Sequence, residues 1–307
     1  MTKVRRWKGS DMTEQRLSPV ERRSPHLAPD VHRLVDRGVE FYLASNESLL
    51  PHLNLTPYGH HLSWLDFTRT SAPGEWDTGQ FLNLFNVING ISFGDRGIPM
   101  PQWVMVDLIL MPAAALVAGV SQRAFADLVA AAPDNTRPHL VRVQDEVRDS
   151  GYPGPMPVGG YCAAPSAAGG TWVGWSLWSL MPGVGLGRVV KALALAAYRT
   201  RRLNGVTQYD NTALRVHTRF GMLRVLVATV PFHTSPGSFV YGADLTEPGD
   251  SPRVEPTFLL EPTDYSRQRA MQDAIEAHKA DFFVLPPGHV VDGGRTVVPV
   301  LEVPRAG

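Results

Sequence analysis

With 44% apolar and 19% charged residues over 307 positions, the chain can build one large core or two medium ones. Its 29 Lys and Arg balance 29 Asp and Glu, so nothing in the overall charge draws it to nucleic acid or an anionic membrane. The single cysteine, Cys162, excludes an intrachain disulfide and a multi-cysteine zinc site, and the default setting is a reduced, cytoplasmic one.

The first ten residues are basic but lead into no apolar segment of signal-peptide type. Residues 1–30, with Pro19, Pro25 and Pro29 and few large apolar side chains, read as a disordered or loosely docked basic tail. From Asp30 onward, Val31, Leu34, Val35, Val39, Phe41 and Leu43 recur at near-helical spacing, which predicts a helix with Asp30 as its N-cap. His52, His60 and His61 follow in a short span. They lack the i, i+4 pairing or a neighbouring Glu or Cys that would fix a metal geometry, so they are expected to be loop histidines and no metal site is assigned.

Residues 77–93 carry Asn83, Asn86 and Asn89 at every third place, one polar edge on an apolar segment. The longest apolar run, Trp103 to Val120, is broken by Asp107 and Pro112. It reads as two covered strands, Trp103–Leu110 and Ala115–Val120, and not as a membrane span. A helix is expected over Gln122–Ala132, stopping before Pro133, and a strand over His139–Val143. Val158–Ala164 and Thr171–Leu180 are expected to be neighbouring strands, and the second carries Trp172, Trp175 and Trp178.

After these come Gly183, Gly185 and Gly187, an apolar helix to about Arg201, a short strand, a second helix and Gly221. Strands follow at Leu223–Val230 and Ser238–Leu245, then a polar linker, a helix within Thr263–Phe282 with Asp264 near its start, and a terminal hairpin turning at Asp292-Gly293-Gly294.

The stretch from Trp172 to Met222 carries the chemistry. A strand, a glycine-rich turn and a helix form an anion cradle, because the unpaired first-turn N–H groups and the positive end of the helix dipole face one spot. Glycine allows positive φ there and lets a bulky anion approach closely. The dinucleotide fingerprint fails, since from Gly183 it needs Gly or Ala where Arg188 stands, and no Gly-Lys-Ser/Thr follows to make a P-loop. Arg188 in the first turn opposes the helix dipole unless an anion sits beside it.

Over roughly Val158 to Leu245 the sequence resembles the GNAT acyltransferase superfamily. The residues that carry the resemblance are Gly185-Leu186-Gly187, then Asp210-Asn211-Thr212-Ala213, His217 and Gly221-Met222. The chain departs from the pattern at Pro182, where the signature Gln or Arg belongs, and at His217, where a Tyr is usual. The resemblance implies an α+β fold, a mixed and mostly antiparallel central sheet flanked by helices, with N- and C-terminal additions. It places the GNAT-like domain at residues 31–246 and a C-terminal extension at 247–307.

The resemblance further implies acyl-CoA as co-substrate, its pyrophosphate held by Leu180, Gly183, Val184, Gly185, Leu186, Gly187, Arg188 and Asn211, with Asp210 as the alternative to Asn211. The acyl group would pass by direct attack to an amine of a small molecule, or come from an acyl-carrier protein, and a homodimer is compatible. His217, with an ordinary pKa near 6.5, is the candidate acid for the leaving thiolate. Oxyanion donors are expected from backbone N–H groups near the end of the tryptophan strand, beside Ser176 and Ser179. Asp107, Tyr161 and His233 are alternative bases, and Cys162 reads as a buried small hydrophobe. Two other readings stand beside this one: a GNAT-shaped binding or scaffold protein without catalysis, and an enzyme whose glycine turn takes a different phosphorylated ligand.

Overall fold

The computed structural model describes residues 27–45, 59–63, 114–149, 155–181, 183–231, 237–246 and 254–305. The expected tail up to residue 26, the polar edge at 77–93, the strand at Trp103–Leu110, and the residues His52, Asp107 and His233 lie outside them, while residues 27–30, expected to end the loose tail, begin a helix with Leu27 and Asp30 buried. The chain divides into two compact units. One holds the described residues up to Ala164 together with Ser176–Arg199; the other holds Pro165–Trp175 and the described residues from Thr200 onward.

The first unit opens with α1 (Leu27–Val35), β1 (Glu40–Ser45), β2 (Gly59–Ser63) and β3 (Ala114–Val120). It continues with α2 (Gln122–Ala131), α3 (Arg137–Asp149), β4 (Met156–Pro165), the end of β5 (Thr171–Ser179) and α4 (Leu186–Ala197). β1 pairs in parallel with β2 and antiparallel with β3, and β3 pairs antiparallel with β4. The N–H of Leu180 donates to the Val158 carbonyl at 2.7 Å and fixes the end of β5 on β4. α4 lies against β3, and α1 packs on α4. Every residue of α4 from Val189 to Ala197 is buried, a helix covered on all sides rather than along one stripe.

The second unit contains the start of β5, β6 (Arg202–Gln208), α5 (Leu214–His217), a 3-10 turn at Thr218–Phe220, β7 (Leu223–Val227) and β8 (Ser238–Asp244). β9 (Phe258–Leu260), α6 (Tyr265–Glu276), β10 (Ala280–Val284), β11 (Val290–Asp292) and β12 (Arg295–Pro304) complete it. β5 and β6 are parallel from Thr171 opposite Arg202 to Gly174 opposite Gly205. From β6 the order runs through β8, β7, β10 and β12, all antiparallel, and β9 and β11 both pair with β12. The fold is therefore α+β, with mixed, mostly antiparallel sheet flanked by helices, as the sequence predicts.

Several local expectations change. Asp30 lies inside α1, not at its N-cap, and the helical run ends early because Gly38 at φ 79° closes the turn, its N–H donating to the Val35 carbonyl at 2.8 Å. Val39, Phe41 and Leu43 then alternate into the core as a strand does. His139–Val143 is not a strand: it belongs to α3, whose buried Leu140, Val143 and Val147 recur on one helical face. The helix expected within Thr263–Phe282 stops at Glu276. His278 turns the chain at φ 55°, and the last residues become β10. Asp264 is its N-cap, accepting from the Arg267 N–H at 2.9 Å. Among the described residues no helix is long and apolar enough to cross a membrane.

Candidate functional site

The glycine turn begins where β5 ends. Gly183 and Gly185 hold φ of 79° and 80°, the left-handed region that side chains resist, and Gly185 is the N-cap of α4. The first backbone bonds of the helix run from the N–H groups of Arg188 and Val189 to the Gly185 carbonyl, at 3.1 and 3.2 Å. The N–H groups ahead of them, in Leu186 and Gly187, belong to the first turn, which an α-helix cannot satisfy from within. Among the described residues, a Cβ placed on Gly183 or Gly187 would meet nothing within 4 Å; Gly183 is exposed and Gly187 half-buried. The Leu186 side chain points away from it and packs on β4: a Cβ on Gly159 would meet its Cδ2 at 2.8 Å.

Electrostatically the turn is cationic. Arg188 pairs with the Asp30 carboxylate, and Arg33 donates to the same carboxylate at 2.9 Å. A Cβ on Gly185 would stand 3.8 Å from a terminal nitrogen of each arginine. The anion that the sequence requires beside Arg188 is thus present as a protein carboxylate, and a second guanidinium comes with it. Local sequence patterns gave no sign of Arg33 or Asp30, because Asp30 and Arg188 are 158 residues apart.

Behind the turn, α4 carries Lys191 fully buried, its Nζ 5.7 Å from the centroid of the Tyr161 ring. Burial lowers its ammonium from the ordinary 10.5 to about 7. Tyr161, one of the alternative bases, lies on β4, and its carbonyl accepts the Tyr198 hydroxyl at 3.3 Å. Cys162 is buried beside it. Burial pushes its thiol up to about 12, as fits the reading of a small hydrophobe.

The tryptophan strand divides: Trp172 and Trp178 are buried, while Trp175 is 40% exposed. The Trp178 indole approaches Gly160 closely, and a Cβ there would come within 2.8 Å of its ring. Ser176 is buried and Ser179 exposed, its hydroxyl donating to the Met181 carbonyl at 3.2 Å.

The other signature residues lie in the second unit. Asn211 closes the turn that leads into α5, its Oδ1 accepting the Ala213 N–H at 2.9 Å. Asp210 beside it is exposed. His217 ends α5 only 7% exposed, its ring 5.2 Å from that of Tyr241. Tyr241 on β8 faces Gly205 across the pair, and a Cβ on Gly205 would meet its hydroxyl at 2.6 Å. Burial raises the Tyr241 phenol above its ordinary pKa, so it stays protonated at neutral pH. Tyr241 escapes sequence reasoning because it lies on β8, 24 residues beyond His217, and only the fold brings the two rings together. Among the described residues no cluster of three or more His, Cys, Asp or Glu could hold a metal ion.

No protein-family model matches the chain, and no curated protein matches it. Among solved structures it is similar to a Desulfovibrio desulfuricans protein described as a candidate acetyltransferase of the GNAT family. The identity is 18%, over 55% of this chain and 94% of that one, with a TM-score of 0.32. A likeness this distant assigns no family.

Proposed function

We propose that the chain is an acyl-CoA-dependent N-acyltransferase whose cradle at Gly183–Arg188 binds the pyrophosphate of the co-substrate. The observation that carries this reading is the open glycine turn at the start of α4 with the guanidiniums of Arg33 and Arg188 beside it. Backbone N–H groups and paired cations are the donors a pyrophosphate requires. In the reaction, the amine of a small acceptor attacks the thioester carbonyl, a C–N bond forms and the C–S bond breaks. A base takes the ammonium proton, and His217 protonates the leaving thiolate. An acyl-carrier protein as donor is the variant of this reading that the missing Gln or Arg at Pro182 motivates.

Calorimetric titration with acetyl-CoA and with longer acyl-CoAs tests it. Binding in the micromolar range is expected, and its loss in Gly187→Glu, which sets a carboxylate in open space over the turn. Silence at millimolar ligand, where affinity is worth only about 4 kcal/mol, sinks the reading.

The non-catalytic alternative is favoured by the burial of His217, which packs on Tyr241. Single-turnover assays separate the two. If His217 is the acid, His217→Gln lowers the chemical rate by about 10²-fold or more with acyl-CoA binding intact. An unchanged rate removes His217 from the chemistry.

A further inference from the structure

The sheet of the second unit has two unlike faces. Residues opposite one another on neighbouring strands share a face, as do alternate residues along a strand. One face holds Leu203, Tyr241, Val225 and Val284, all buried. Both helices of the unit lie on it. His217 of α5 meets the Tyr241 ring, and Arg267 of α6 stands 4.2 Å from the ring centre of Phe258, which meets Phe282 edge-on.

The other face carries Trp175, Val206, Leu226, Leu259 and Val303. Val206 lies two residues beyond Asn204, whose partner on β5 is Val173, two before Trp175. A Cβ on Gly242, opposite Asn204, would meet the Leu226 side chain at 3.4 Å. Arg224, also opposite Gly242, leads through Phe283 to Leu301, which alternates with Val303 and with Pro299, the partner of Leu259. The five are 37% to 51% exposed, and they are five of the nine large apolar side chains that stand exposed among the described residues. Scattered singly such residues need no explanation; gathered on one sheet face they do.

The charges of that face alternate in sign. In sheet order they run Arg202 on β6, Asp244 on β8, Arg224 on β7, Asp281 on β10 and Arg305 just past β12. Arg202 pairs with Asp244 at 3.5 Å, and Asp281 pairs with Arg224 at 2.8 Å and with Arg305 at 2.6 Å. Such a band suits no partner of a single sign, nucleic acid or anionic membrane, but it complements a copy of itself displaced by one strand. A formal net charge of zero adds no long-range repulsion between copies. The six strands from β5 to β12, at about 4.8 Å each and about 20 Å long, offer roughly 600 Å² of plane. Side-chain relief brings that towards the about 800 Å² that each partner buries in a standard interface.

We propose that this face is an isologous interface, on which a second copy of the chain packs across a two-fold axis. The apolar side chains supply the buried area, and the alternating charges fix the register. The inference is independent of the acyltransferase reading, since this face is turned away from His217.

Sedimentation velocity of the full chain from about 1 to about 100 µM tests it, with a dimer expected over the upper part of that range. Val206→Glu and Leu226→Lys each set like charges against one another across the axis, and each is expected to weaken self-association by about tenfold or more. Val291→Glu is the control, on the helix-covered side of β11 and more exposed than any of the five; it should leave the dimer unchanged. Should either interface variant lose its circular dichroism, Leu259→Glu on the same face takes its place. A monomer at about 100 µM overturns the inference whatever the variants do, and so does a dimer that neither variant weakens. A ladder of species beyond the dimer overturns the two-fold form, because a head-to-tail contact does not close.

Discussion

Glycine has opposite meanings in the two signature regions. At the glycine turn, Gly183 and Gly187 face space that no described residue fills, and the guanidiniums of Arg33 and Arg188 beside it share the Asp30 carboxylate. Around His217 the space is taken: the Tyr241 hydroxyl lies over Gly205, Asn211 satisfies the first N–H of its own turn, and the histidine is packed. In the first region the glycines meet no described neighbour, and in the second the side chains fill the space between them. A glycine pattern alone does not distinguish an open surface from a filled one; the neighbour across the strand does.

The contrast runs along α4 itself, open at its first turn and buried beyond it, and there the largest effect is expected. Lys191 has its pKa lowered from 10.5 to about 7 by burial. The folded state therefore binds fewer protons than the unfolded one between those values. Stability from this group rises with pH across that window, and the full cost is present below about 7. Lys191→Met should stabilise the protein at pH 7 by roughly 1–4 kcal/mol. The gain should shrink by pH 10, as read from urea unfolding at both pH values. A gain of equal size at both would show that packing, not charge, sets the cost.

Next in size is the pair of glycines. Gly205→Ala puts a methyl 2.6 Å from the Tyr241 hydroxyl. It should cost about 1–3 kcal/mol, whereas Gly187→Ala, in open space, should stay within about 0.5 kcal/mol. Thermal melts of both variants check this, and equal costs would erase the distinction between filled and open. The smallest effect is at the turn before α5: Asn211→Ala removes the acceptor of the Ala213 N–H and should cost about 1 kcal/mol in the same melts.

Much of this architecture was legible in the sequence where the period was clear. The strands β3 to β8, the glycine turn, α4, α2 ending before Pro133 and the terminal hairpin lie near their expected places. The failures have local causes. The apolar cluster His139–Val143 is too short to separate a strand from a helix, and only Val147 one turn later reveals the period of α3. β9 is three residues in a loop-like context and carries no pattern of its own. The site was half legible. The turn announces itself through glycine, but Asp30 and Arg33 reach it from another helix, and Tyr241 meets His217 from a strand that follows it in the chain. Such contacts leave no trace in local spacing.

Cys162 carries a consequence of another kind. The chain has no other cysteine, and this one is buried in β4 with its thiol raised to about 12. In the closed protein it offers almost no thiolate and no access, so an alkylating reagent modifies it only when β4 is exposed. The unmodified protein thus carries its own clock for the opening of this strand. The rate of labelling, read by mass spectrometry, reports how often this strand opens.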